Sequence, residues 1–137
     1  MGRVLALAAA LILAGCATQP SGAPTSFFFP RHGDPLGAGD AALLEGEVVF
    51  ADACLWVRSG NGTLFLPLWP ADVVLGKIND RPAVLSADRE LLVETGEVTM
   101  LGGSQTDRAT AEQLVGPIPD RCAGGPFWNV STVSNRP

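Results

Sequence analysis

Few residues in this chain could carry out chemistry. Its only histidine, His32, lies in a stretch rich in proline and glycine, and no G-x-S-x-G motif is present. Nucleophilic catalysis needs a serine, cysteine or threonine beside such a base. Glu45 and Glu47 share one face of a predicted strand, where paired carboxylates could hydrolyse glycosides. A solvated polar face is the simpler explanation, and Asp52 falls at a predicted turn. We therefore expect a protein without catalytic residues or a cofactor.

The N-terminus has the pattern of a secretory signal that ends at a cysteine. Arg3 precedes an unbroken apolar run over residues 4–13, which is short of the ~20 residues needed to span a bilayer. Leu13-Ala14-Gly15-Cys16 resembles the lipobox of bacterial lipoproteins. The resemblance implies diacylglycerol on the thiol of Cys16, cleavage before this residue, and often acylation of the new amine. The alternative is an ordinary signal peptide followed by a chance cysteine.

Two further cysteines, Cys54 and Cys122, remain once Cys16 is lipidated. Export places them in an oxidising compartment, where disulfides persist, and two cysteines allow a single pairing. Metal binding is the rival use of paired cysteines. It is disfavoured here because the chain lacks CxxC spacing and a nearby histidine. We expect a Cys54–Cys122 disulfide and no metal site.

The net charge of the chain limits the classes of partner that it can bind. The formal net charge is −5, with the charged residues scattered along the sequence. Such a chain lacks the basic patch that binds nucleic-acid phosphates, so we expect no nucleic-acid partner. It also lacks a polybasic patch for anionic lipid. Membrane attachment is therefore predicted to depend on the acyl chains, which hold a protein firmly when two or more are present.

Composition divides the chain into three predicted parts. Residues 1–15 are the signal peptide, residues 16–41 the lipidated N-terminus and a flexible tether, and residues 42–137 the folded domain. The tether is rich in proline, glycine, serine and threonine, and so buries too little apolar surface to fold alone. The aromatic triplet Phe27–Phe29 interrupts it. These rings either cover an open side of the domain core or dip into the lipid interface.

The sequence of the predicted domain indicates short strands separated by turns. The clearest unit is a hairpin in which Cys54–Val57 and Thr63–Leu68 flank an Asn-Gly turn within Ser59–Gly62. Pro67 cannot donate a ladder hydrogen bond, which predicts a strand edge near that point. The other predicted strands are Leu43–Phe50, Ala83–Leu85, Leu91–Val93, Val98–Leu101 and Phe127–Val133.

The remaining segments complete the fold prediction. Residues around Gly76 and in 79–82 are expected to be irregular. The only helix-compatible run is Asp107–Val115, which Thr106 or Asp107 can cap and Gly116 can end. Six or seven short strands with one short helix predict an all-β fold, a small antiparallel barrel with one disulfide. An OB-like barrel is one subtype of this prediction; an unrelated meander barrel is the other.

Trp56, Trp69 and Trp128 form the candidate binding surface, because aromatic platforms stack on sugar rings and suit a protein near envelope glycan. The competing interpretation places them in the core. Trp56 favours the core because it alternates with Leu55 and Val57 beside the predicted disulfide. Trp69 lies next to prolines at a strand end, where either environment fits.

These observations predict a membrane-anchored envelope lipoprotein whose non-catalytic barrel binds an envelope protein or a glycan. The alternative function is carriage of a small apolar ligand in the barrel mouth, which needs a cavity of at least ~300 Å³. Ala17 stands after Cys16 where retention in the inner membrane would need aspartate. The resemblance therefore implies the outer membrane, facing the periplasm, in a two-membrane bacterium. Otherwise it implies the outer face of the plasma membrane.

Overall fold

A computed structural model describes residues 26–135 of the chain. The predicted signal peptide, the lipobox with Cys16 and the first part of the predicted tether lie outside the described residues. Within residues 26–135 the chain forms strands β1 (Ala42–Ala51), β2 (Cys54–Ser59), β3 (Leu64–Leu68), β4 (Val73–Ile78), β5 (Arg81–Ser86), β6 (Leu91–Glu94), β7 (Val98–Thr106) and β8 (Phe127–Asn135), with one helix, α1 (Arg108–Val115).

Five strands close into a barrel in the order β1-β2-β3-β8-β7. Neighbours in this ring run antiparallel except β3 and β8, which pair in parallel through Leu66 and Phe127. The prediction of a small all-β barrel with one short helix is confirmed, and five is the strand number of OB-type barrels. Pro67 lies beyond the last β2–β3 pair, Val57 with Phe65, so its missing N–H interrupts no bond to β2.

A second sheet, β4-β5-β6, follows β3 in the chain. The prediction of an irregular stretch around Gly76 is wrong, because β4 spans that residue and pairs with β5 along its whole length. Asn79 and Asp80 both have positive φ, at 48° and 62°. This is the backbone of a two-residue hairpin loop, which asparagine and aspartate tolerate without glycine.

Two clusters of buried side chains hold these elements together. The first lies inside the ring and continues onto the second sheet through Val73, Val84 and Val93. The second lies on the other face of β2 and β3, under α1 and the connection to β8. In β2, Leu55 and Val57 therefore face the first cluster while Cys54 and Trp56 face the second. Because both faces of this strand are buried, its sequence is continuously apolar rather than alternating.

Residues 26–40, which we call the N-terminal strap, lie against the barrel. The backbone N–H of Phe28 donates to Ala53 O at 2.9 Å, that of Trp69 to Pro30 O at 2.9 Å, and that of Gly37 to Ser131 O at 2.7 Å. The flexible tether predicted for residues 16–41 is therefore not flexible over the strap. Composition alone misses this, because the strap is held by backbone hydrogen bonds to other segments and by its aromatic side chains.

Candidate functional site

A groove with a volume of about 350 Å³ lies on the outer face of the barrel. It runs over the ladder between β1 and β2 and reaches the β2–β3 turn and the start of β7. The register pairs Gly46 with Ser59 and Glu47 with Arg58, which brings these residues together from two strands. The lining, here called the β1–β2 groove, consists of Glu45, Gly46, Glu47, Arg58, Ser59, Gly60 and Val98.

The charged walls of the groove are Glu45, Glu47 and Arg58. Arg58 Nη2 donates to Glu47 Oε2 at 2.6 Å, and both side chains are partly exposed. A pair this open to water adds little stability, and its effect here is to fix the direction of both side chains. Glu45 faces outward from the same strand. The groove can therefore accept hydrogen bonds on carboxylates and donate them from a guanidinium.

Gly46 lines the groove with its backbone only, since it alternates with the buried Leu44 and Val48 and a side chain here would point into the barrel. A Cβ at this position would lie 2.6 Å from Arg58 O and 2.6 Å from Val57 Cγ1, so only glycine fits between the two strands. Gly60, on the turn, has open space around it instead. At Gly60 a ligand or a partner side chain can therefore meet main-chain as well as charged groups.

The predicted carboxylate candidates are only partly brought together. Glu45 and Glu47 share the outward face, as expected, and line one groove. Asp52 lies in the β1–β2 turn with φ of 52°, five residues from Glu47, or roughly 16 Å along an extended strand. Arg58 and Gly60 complete the groove from β2 and the following turn. Strand periodicity identified the two glutamates, but their partners depend on the register between strands.

A second, smaller pocket of about 180 Å³ is mainly apolar. Its lining, here called the strap pocket, consists of Phe27, Leu75, Gly76, Lys77 and Pro82. Phe27 is 52 % exposed, and its ring meets the edge of Phe50 with centroids 4.9 Å apart. The neighbouring rings turn inward: Phe29 packs against the first cluster and Phe28 against the second. Phe28 and Phe29 thus cover the domain core, whereas Phe27 stays at the surface.

His32 is buried in the strap rather than placed in a solvated loop. It is 3 % exposed, and its Nε2–H donates to Val130 O at 2.8 Å. Its Nδ1 accepts from the backbone N–H of Asp34 at 3.2 Å. Both ring nitrogens are therefore occupied by main-chain partners in the neutral imidazole. This histidine fastens the strap to β8 and has no contact with the β1–β2 groove.

The three tryptophans belong to the core, so the candidate binding surface of Trp56, Trp69 and Trp128 is wrong. They are 5 %, 0 % and 6 % exposed. Trp56 on β2 and Trp128 on β8 lie on strands whose side chains enter both clusters, and Trp69, which follows β3, is covered by Phe29 of the strap. Trp69 and Trp128 belong to the first cluster and Trp56 to the second. The apolar neighbours on both sides of Trp56 and Trp69 were the sequence sign of this burial.

The Cys54–Cys122 disulfide is present, as predicted, with the two Cα atoms 5.8 Å apart. It joins the first residue of β2 to a 3₁₀ turn, Asp120–Cys122, in the connection between α1 and β8. Both cysteines are fully buried in the second cluster. The bond therefore fixes the segment that covers the outer face of β2 and β3.

Charged side chains cap the N-terminal end of helix α1 and join it to the turn that follows the helix. Asp107 caps it by accepting from the backbone N–H of Thr110 at 2.9 Å, and this hydrogen bond lowers the pKa of the Asp107 carboxyl. Arg108 donates to Glu112 Oε1 at 3.0 Å and to Asp120 Oδ1 at 3.2 Å. The hydrogen bond from Arg108 lowers the pKa of Glu112. The network joins α1 to the turn that carries the disulfide.

Among residues 26–135, no cluster of three or more His, Cys, Asp or Glu side chains is arranged to hold a metal ion. In the same residues, no helix has the length and apolar character needed to cross a membrane. The chain matches no protein-family model, no curated protein and no solved structure.

Proposed function

We propose that this chain is a lipid-anchored lipoprotein of the cell envelope, and that its barrel is a non-catalytic binding domain for an envelope protein or a glycan. Cys16 carries the anchor in this proposal. The β1–β2 groove is the binding site. The location is the outer membrane, facing the periplasm, in a two-membrane bacterium, and the outer face of the plasma membrane otherwise.

The observation that carries the proposal is that the strap and the groove meet different parts of the barrel. Phe28 pairs with Cys54 at the start of β2, whereas the groove surrounds Ser59 at the end of β2. Five residues separate these positions, roughly 16 Å of strand. An anchor attached through the strap therefore leaves the groove open to a partner in the aqueous phase.

The length of chain between anchor and barrel supports the same arrangement. Ser26 is the first described residue and stands ten positions after Cys16, with nine residues between them. A stretch of ten residues reaches at most about 35 Å. The domain is thereby restricted to the neighbourhood of the membrane that holds Cys16, where envelope proteins and glycans are the available partners.

The chemistry of the groove favours a polar partner over an apolar one. Glu45 and Glu47 accept hydrogen bonds, Arg58 donates them, and Val98 adds one apolar contact. Sugar hydroxyls, amides and amines all match such a lining. Carriage of a small apolar ligand in the barrel mouth stays a prediction, and the side chains of the first cluster that fill the ring count against it.

The anchor is tested by mass spectrometry of the chain recovered from bacterial membranes. The expected product begins at Cys16, with a diacylglyceryl thioether and an acylated amine on this residue. Cys16→Ser should stay in the precursor form and leave the membrane fraction. A processed chain with an unmodified thiol at Cys16 would contradict the proposal.

The groove is tested by site-specific photo-crosslinking in intact cells. A photoreactive amino acid at Ser59 should capture an envelope protein or a glycan, and the same probe at Leu91, which is 42 % exposed on β6, serves as the matched control. Arg58→Ala combined with Glu47→Ala should reduce the captured product several-fold. Equal capture at both positions, or none at Ser59, would contradict binding at the groove.

A further inference from the structure

We infer that the strap pocket rests on the surface of the phospholipid bilayer that holds the anchor. This inference rests on the proposed lipidation of Cys16 and assigns an orientation to the anchored barrel. The partner is the bilayer itself, which Phe27 enters at the level of the lipid headgroups.

The strap pocket is mainly apolar and has a cation at its rim. Phe27, Leu75 and Pro82 supply apolar surface, and Phe27 is 52 % exposed although its two neighbours in the triplet are packed against the clusters. An exposed aromatic side chain beside apolar residues suits the boundary between headgroups and acyl chains. Lys77, the only lysine of the chain, lies at the same pocket. A lysine can bury its stem against apolar surface while its ammonium reaches phosphate groups.

The strap pocket lies at the N-terminal end of the strap. Ser26 directly precedes Phe27, and its carbonyl accepts from Arg121 Nη2 at 3.1 Å. Among the residues that line the two pockets, Phe27 therefore lies nearest to Cys16 in sequence, eleven positions away. Arg121 adds a second cation beside Ser26. The chain from Cys16 to Ser26 spans at most about 35 Å, which keeps the apolar pocket beside Phe27 within reach of the membrane that holds the anchor.

The part of the tether before the strap has no side chain suited to fill the strap pocket. Residues 17–25 are alanine, threonine, glutamine, proline, serine and glycine, so they offer no large apolar side chain to fill it. The bilayer offers both the apolar layer for Phe27 and the phosphates for Lys77. The β1–β2 groove is then separated from the bilayer contact, because Gly46 lies four residues from Phe50, roughly 13 Å along β1.

The test uses the chain from Cys16 onward, coupled through the Cys16 thiol to maleimide lipid in phosphatidylcholine vesicles. The disulfide leaves Cys16 as the free thiol. The coupling supplies an anchor whether or not cells lipidate Cys16, so failure of this inference is separate from failure of the proposed function. Phe27→Trp is the reporter. Leu43→Trp is the matched control, since Leu43 is 63 % exposed and lies seven residues from Phe50, roughly 23 Å along β1.

The measurement is tryptophan fluorescence, with the unsubstituted chain subtracted because its own three tryptophans are buried. The emission of the Phe27→Trp chain should shift to the blue on vesicles. Lipids brominated near the headgroup should quench it at least about twofold more than they quench the Leu43→Trp chain. Equal quenching of both chains would overturn the inference. A blue shift without vesicles that grows with protein concentration would show that a second copy covers the pocket, and would overturn it too.

Hydrogen exchange on the unsubstituted chain gives a second readout that no substitution can disturb. The amides of Phe27 and of residues 75–77 should exchange several-fold more slowly on the coupled vesicles than in detergent-free solution. Amides of the β2–β3 turn, residues 60–62, are the internal control and should not change. Slowing that is equal at both places, or absent from both, would contradict the orientation.

Discussion

The ring of Phe29 lies stacked on the indole of Trp69, with centroids 5.6 Å apart and 14° between the planes. Trp69 is fully buried, and its backbone N–H donates to Pro30 O, one residue beyond the phenylalanine. The strap is thus held by a side-chain stack and a backbone bond at the same place. A segment that composition marks as linker is therefore part of the folded barrel.

Removal of this stack should loosen the strap. We expect Phe29→Ala to lower the free energy of unfolding by about 1–3 kcal/mol, since it deletes a half-buried aromatic pair and leaves a gap over Trp69. Phe27→Ala is the control, because its side chain is half exposed, and should cost less. Urea unfolding checks both values. An equal loss for both variants would mean that the stack contributes nothing of its own.

The hydrogen bond from His32 to Val130 predicts a difference between two substitutions. His32→Leu leaves the carbonyl of Val130 without its donor in a buried place, and we expect a loss of about 1–3 kcal/mol in unfolding free energy. His32→Gln keeps an N–H donor and should retain part of that stability. Thermal unfolding at neutral pH compares them. If the leucine variant is the more stable of the two, the hydrogen bond is not what the histidine provides.

The close approach at Gly46 predicts that this glycine cannot be enlarged. Gly46→Ala puts a methyl group 2.6 Å from Arg58 O, so β1 and β2 must separate, and overpacking of this kind costs about 1–3 kcal/mol. Gly60→Ala lines the same groove but meets open space, and should leave stability nearly unchanged. Chemical unfolding of the two variants provides the measurement. Equal free energies of unfolding for the two variants would show that β1 and β2 can separate at Gly46 without loss of stability.

The disulfide should contribute a large share of the stability. Cys54 and Cys122 are separated by 68 residues, and closing a loop of that length removes about 4 kcal/mol of chain entropy from the unfolded state. The double variant Cys54→Ser, Cys122→Ser should therefore unfold at a much lower urea concentration. Cys16→Ser keeps the bridge and is the control. If the double variant unfolded at the same urea concentration as the unsubstituted chain, the disulfide would not make this contribution to stability.

Acid should weaken the attachment of α1. The pKa of Asp107 is lowered from 3.8 by the Thr110 hydrogen bonds, and that of Glu112 from 4.5 by Arg108. A carboxylate with a lowered folded pKa stabilises fully above its unfolded pKa, and this stability is lost as the pH falls through the folded pKa. The unfolding temperature should therefore decline below about pH 4.5. In Asp107→Asn with Glu112→Gln the decline should be shallower; parallel curves would contradict this.

Local patterns predicted the parts of the fold that local chemistry determines. The Asn-Gly turn and its flanking strands form the β2–β3 hairpin, and Asp107 and Gly116 bound the helix as expected. The disulfide followed from cysteine count and compartment. Each of these features depends on residues close in sequence, or on a pairing with a single solution.

Long-range pairing explains what the sequence could not predict. The parallel contact of Leu66 with Phe127 joins segments with no periodicity in common, and only packing of the whole ring sets its register. The groove shows the same limit, because Arg58 meets Glu47 only once β1 and β2 are aligned. No pattern in the sequence around His32 indicates its hydrogen bond to Val130 O. The hairpin loop at Asn79-Asp80 was not recognised from the sequence, because it contains no glycine, the usual sign of a tight turn with positive φ.

The position of β8 has a consequence for how this protein is made. This strand fills the gap between β3 and β7, so both keep an open edge until residues 127–135 have joined the ring. Cys122 lies five residues before β8, so the Cys54–Cys122 bond holds the start of this last strand close to its place. A chain that ends before residue 127 would expose the unpaired edges of both β3 and β7. Such edges promote aggregation, and chaperones and proteases can recognise a chain that carries them.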